Sequence, residues 1–73
     1  MPPEPNDPAI LWRMCRDRST AHATIFPGTA DTTVTWFFDG VMDRAETYET
    51  AELALARAEH IRGILVRDGW RET

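Results

Sequence analysis

The sequence predicts an α+β domain: a three- to four-stranded antiparallel sheet, built as two hairpins, with one C-terminal α-helix packed on one face. Three observations carry this prediction. Apolar and polar residues alternate through short segments of the first half, which is the period of a half-buried strand. Asp39-Gly40 separates two such segments and suits a two-residue turn with positive φ at both positions. Residues 51–67 then change to helical periodicity.

Taken in order, Pro2, Pro3, Pro5 and Pro8 make residues 1–8 an extended, disordered lead-in. A single ββββα domain over residues 9–73 follows. Residues 9–17 read as the first strand, and Arg16 to Thr20 as a polar turn. Residues 21–26 alternate again, until Pro27-Gly28 ends them. Residues 33–38, Thr-Val-Thr-Trp-Phe-Phe, have strong β propensity, and residues 41–48 form the return strand. Thr50 is a sound helix N-cap, Glu52 suits the first turn, and Gly69 is placed to stop the helix.

Register follows from the apolar pattern. Pairing Arg16 with Ala21 places Met14 opposite Ala23 and Trp12 opposite Ile25. In the second hairpin Phe38 faces Val41, Phe37 faces Met42, Trp36 faces Asp43 and Val34 faces Ala45. Ile10, Trp12, Met14, Ala23, Ile25, Trp36 and Phe38 then share one side, under a helix stripe of Ala54, Ala58, Ile61 and Leu65. Trp70, just past the helix, is expected to fold back over the end of that core.

One helix cannot cover both faces of a sheet. The opposite face is expected to carry Leu11 against Phe26 and Phe37 against Met42, flanked by Arg13 and Arg44. These six residues are the candidate interface. Scattered surface hydrophobes are common. A patch meeting another sheet, a homodimer mate or a partner protein is the sharper reading. It is favoured by Trp36-Phe37-Phe38, which is apolar on both faces. Leu53, Leu55, Ile64 and Val66 widen the helix's apolar arc, either for a deeply sunk helix or for helix-mediated dimerisation.

Composition narrows the function classes. The chain has 73 residues, a net charge of −4 and one cysteine. One small core is all that this length allows. A lone Cys15 excludes a disulfide within the chain and suits a reducing cytoplasm. Neither a signal peptide nor a membrane span is expected. The negative charge opposes general nucleic-acid binding and favours a basic partner. All eight basic residues are arginine.

No catalytic, cofactor or metal site is expected. Cys15 and His22 fall opposite each other across the first hairpin, a pairing that could serve as nucleophile and base or as two metal ligands. Neither an orienting group nor further ligands accompany them. Asp39, Asp43, Glu46, Glu49 and Glu52 are dense but lack the ligand spacing of an EF-hand, so they read as a solvated strand edge.

The run Tyr48-Glu49-Thr50-Ala51-Glu52-Leu53-Ala54-Leu55-Ala56 follows Asp39-Gly40. It resembles the arm-binding domain of tyrosine-type phage integrases, which reads DNA with a three-stranded sheet. It is also similar to the sheet-and-helix domain of HicB-type antitoxins, although that family's Pro-Asp-Leu-Pro-Gly-like segment is missing here. Neither resemblance carries over a functional residue. The expected function is a non-enzymatic protein-interaction or self-association module using the open sheet face. The alternatives are an integrase-arm-like nucleic-acid binder, through Arg13, Arg44 and neighbouring threonines, and an antitoxin-like partner of a basic protein. No cofactor, small-molecule ligand or membrane contact is expected.

Overall fold

Alternating side chains build a sheet only when the turns between strands permit the pairing, and here the turns are short. The structure is a computed structural model that describes residues 8–73. The expected lead-in therefore lies, except for Pro8, outside the described residues. Strands β1 (Ala9–Arg16), β2 (Ser19–Pro27), β3 (Thr32–Phe38) and β4 (Val41–Tyr48) precede helix α1 (Ala51–Arg67), and a two-residue strand β5 (Arg71–Glu72) follows it. They form one open, antiparallel five-stranded sheet in the order β4-β3-β2-β1-β5. Strand β5, which pairs with Met14 and Cys15, was not anticipated.

The β1–β2 turn is tighter than expected, because Arg16 pairs with Ser19 rather than Ala21. Asp17 makes this possible by taking a left-handed φ of 53°. The resulting slip is two residues, so Met14 meets Ala21 and Trp12 meets Ala23 with their faces unchanged. Asp39 and Gly40 both have positive φ, as the sequence predicts for the β3–β4 turn. The Asp39 carboxylate also accepts from the Thr20 amide at 3.0 Å, and the Asp39 amide donates to the Thr20 carbonyl. Between β2 and β3, a Cβ on Gly28 would lie 2.8 Å from the Asp31 carbonyl oxygen, so that loop requires glycine.

Two β-bulges overturn parts of the expected register. One lies between Ile10 and Trp12. Beyond a bulge the alternation changes phase, so the faces of Ile10 and Leu11 exchange. Ile10 pairs with Thr24 and is 46% exposed, whereas Leu11 packs against the core. The other lies between Trp36 and Phe37. Asp43 becomes the extra residue, and Trp36 pairs with Arg44 and Val34 with Glu46.

The core under α1 consists of Trp12, Met14, Ala21, Ala23, Ile25, Val34, Trp36, Ala54, Ala58 and Trp70. Ala54 and Ala58 are the helix's buried residues. Having no bulk beyond Cβ, they let the backbone come close enough for the Trp12 indole to donate to the Ala58 carbonyl at 3.1 Å. Leu53, Leu55, Ile64 and Val66 are all exposed, so α1 rests on the sheet rather than sinking into it. Thr50 caps the helix as expected, its hydroxyl accepting from the Leu53 amide. Gly69, at φ 96°, ends it, and the Trp70 amide donates back to the Leu65 carbonyl. One buried donor, the Trp36 indole nitrogen, has no partner among the described residues. Such an orphan costs about 1–3 kcal/mol.

The bulge in β4 also ties α1 to the sheet edge. Glu46 accepts from the Tyr48 hydroxyl at 2.8 Å and from the Arg57 guanidinium at 3.2 Å. The Tyr48 hydroxyl, and then Arg57, hold the Glu46 carboxyl below the usual carboxylate range, against partial burial that pushes it up. A carboxyl depressed on folding stabilises the fold above its unfolded pKa, and that contribution is lost as pH falls through the folded value. Glu46→Gln should therefore be less stable than wild type at neutral pH. The gap should close as pH falls below the ordinary value of 4.5. Parallel urea titrations at pH 7 and in acid measure it; a gap independent of pH would show that the carboxylate's charge contributes nothing.

Candidate interaction surface on the open sheet face

The pairing registers place side chains on the uncovered face in rows. Arg13, His22, Phe37 and Met42 form one row, from β1 to β4. Ile10, Thr24, Thr35 and Ala45 form the next, and Phe26, Thr33 and Thr47 a third. Cys15, Thr20 and Arg71 occupy the other flank of the Arg13 row. Among the described residues no element packs over these rows.

Within the first row, His22 and Phe37 stack face to face, with ring centroids 4.4 Å apart and an interplanar angle of 7°. Phe26 and Met42 are exposed, at 40% and 59%. Thr35, in the middle of the face, is buried between its neighbours, and the Thr33 and Thr47 hydroxyls bond to each other at 2.9 Å. The face is therefore flat at its centre, with apolar groups standing around it.

The expected cluster is only partly assembled. Phe37 and Met42 are paired as predicted, and Arg13 and Phe26 share their face. Leu11 and Arg44 are corrections: the two bulges turn them to the helix side. Arg44 there lies 3.8 Å from Glu46. Cys15 and His22 are not opposite each other either, since the tighter turn pairs Cys15 with Thr20 and His22 with Arg13. Cys15 is a free, half-buried thiol. Among the described residues, no group of three or more His, Cys, Asp and Glu is arranged to hold a metal ion.

Ile10 and Arg71 join the face unforeseen. The run Ile10-Leu11-Trp12 was the available signal for Ile10, because three consecutive apolar residues do not fit plain alternation. Arg71 gave none, because a two-residue strand has no pattern.

Charge is segregated between the faces. The carboxylates on strands are Asp43, Glu46 and Glu72. Glu46 and Glu72 pair opposite the core residues Val34 and Met14, and Asp43 is the bulged residue on the helix side. Arg62 of α1 binds both Glu59 and Glu72 from the same side. The open face thus carries Arg13 and Arg71 and no strand carboxylate, in a chain whose net charge is −4.

Compared with family models, curated proteins and solved structures, the chain matches none of them. The integrase and antitoxin resemblances find no support there. No helix among the described residues is long and apolar enough to cross a membrane.

Proposed function

We propose that the chain is a non-enzymatic protein-interaction module that self-associates, or docks on another protein, through the open face of its sheet. The observation that carries this reading is the bare row of Arg13, the stacked His22 and Phe37, and Met42, with Ile10 in the next row and Phe26 in the row beyond it. Apolar groups of this size on one uncovered face mark an interaction surface when they are contiguous. Sheet faces also pack well on one another, about 10 Å apart. Arg13 lies toward the β1 side, so a mate centred on β3 and β4 meets the apolar and threonine-rich part without opposing arginine to arginine.

Charge segregation separates the possible partners. A basic partner, which the net charge alone favours, would meet carboxylates on the helix side rather than this face. The nucleic-acid alternative loses Arg44 and retains Arg13, joined by Arg71. Binding to DNA that weakens steeply with salt would favour it. The lone thiol of Cys15 supports a reducing, cytoplasmic setting.

Sedimentation velocity on wild type, Phe37→Asp and Met42→Asp tests the proposal. Wild type should sediment above the monomer, and both variants should move toward it. Met42 is well exposed, so its substitution should leave the melting curve nearly unchanged. A wild type that stays monomeric and captures no protein overturns the reading.

A further inference from the structure

The helix side holds a second feature, independent of the open face. Between the second half of α1 and strands β3 and β4 lies a cleft of about 280 Å³. Trp36, Phe38, Ile61 and Leu65 supply its apolar walls, and Arg57 and Glu46 its polar one. The volume is near the lower end of small-molecule pockets, which run from about 300 to 1,000 Å³. Its occupant is therefore small.

The cleft's hydrogen-bonding capacity is unevenly spent. Glu46 already receives the Tyr48 hydroxyl and the Arg57 Nε, and its second oxygen faces Arg44. Arg57 spends only Nε, leaving its terminal amino groups without a hydrogen bond among the described residues. The Trp36 indole N–H is likewise without an acceptor there, although Trp36 is only 4% exposed. Buried donors are nearly always paired in folded proteins. Arg57 thus offers the cleft its outer amino groups, and the walls favour an apolar body.

We propose that this cleft binds a small apolar carboxylate, with its carboxylate on the Arg57 guanidinium and its hydrocarbon part against Trp36, Ile61 and Leu65. Arg57 is suited to this because a guanidinium can hold one carboxylate through Nε and offer its outer amino groups to another. Arg44, at the exposed rim, adds a second cation and balances Asp43 beside it. The indole N–H is closed to solvent, so an acceptor reaches it only as the side chains around the cleft shift. Because the Trp36 ring lines the cleft, its NMR signal reports the change in the ring's surroundings when the cleft is filled.

The test is a ¹⁵N NMR titration of the full chain with sodium benzoate, with hexanoate, and with benzylamine as a cation of similar shape. The Trp36 indole N–H resonance should move saturably with both carboxylates and stay in place with benzylamine. Arg57→Gln should weaken benzoate binding by about tenfold, the loss of one charge-assisted contact. The wild-type comparison of benzoate with benzylamine stands even if that variant is poorly folded. No saturable movement up to about 10 mM carboxylate, below any useful affinity, overturns the proposal, as does an equal response to benzylamine. Because the cleft and the open face lie on opposite sides of the sheet, oligomeric state should not change on titration.

Discussion

Trp12→Ala is expected to remove a large share of the fold's stability, about 3–5 kcal/mol. Trp12 is 8% exposed, in the middle of β1, directly under the helix. Its ring fills the space that Ala54 and Ala58 leave open, and its indole N–H reaches the Ala58 carbonyl. Truncating a buried tryptophan costs about 3–5 kcal/mol, through lost burial and the cavity left behind. A chain of this length has a total stability on the order of 4–11 kcal/mol. One substitution therefore removes a large share of it. Thermal melts followed by circular dichroism should show a midpoint lower by at least about 12 °C. Trp12→Phe keeps most of the packing and loses the indole hydrogen bond, so it should cost far less, about 1–2 kcal/mol. If Trp12→Ala costs under about 1 kcal/mol, α1 is not held by this residue.

Trp70→Ala should have a comparable effect, and a local one besides. Trp70 lies outside α1 yet is 7% exposed. Its ring meets Phe38 edge-on at 5.9 Å, and the Arg16 guanidinium lies 5.2 Å from its centre. The side chain closes the core where α1 ends, and the backbone then passes straight into β5. Its removal should cost about 3–5 kcal/mol. It should also release β5, because two paired residues cannot hold a strand in place without that anchor. Hydrogen exchange should accelerate at Arg71 to Thr73 before the rest of the sheet, with the Thr73 amide, bonded to the Arg13 carbonyl, among the first to exchange. A neutral melt with unchanged exchange would mean that Trp70 faces solvent.

Much of the fold was legible because local chemistry specified it. Thr50 could be read as a cap, Gly69 as a stop and Asp39-Gly40 as a hairpin turn, each from residues within a few positions. Side-chain alternation assigned Trp12, Met14, Trp36 and Phe38 to one face. That assignment survived a two-residue error in the β1–β2 turn, because a strand repeats every two residues. The same alternation paired Phe37 with Met42 on the other face. The proposed interaction surface was thus half visible: Arg13, Phe26, Phe37 and Met42 stand on the face where the pattern put them.

The rest was decided in three dimensions. A bulge shifts the phase of every residue beyond it, and whether a strand bulges depends on its partner strand and on the helix above. That is why Leu11 and Ile10 exchanged faces, and why Arg44 left the open face to stand beside Glu46. Strand β5 exists because Trp70 docks, and the cleft at Trp36 exists because the β4 bulge brings Glu46 under Arg57. The sequence by itself determined the order of the four hairpin strands and the helix, the Asp39-Gly40 turn and the helix cap, and the core face at Trp12, Met14, Trp36 and Phe38, since these depend on neighbours along the chain. Only the tertiary structure decided which charges share a face and which donors lack acceptors, since both depend on residues distant in sequence meeting in space.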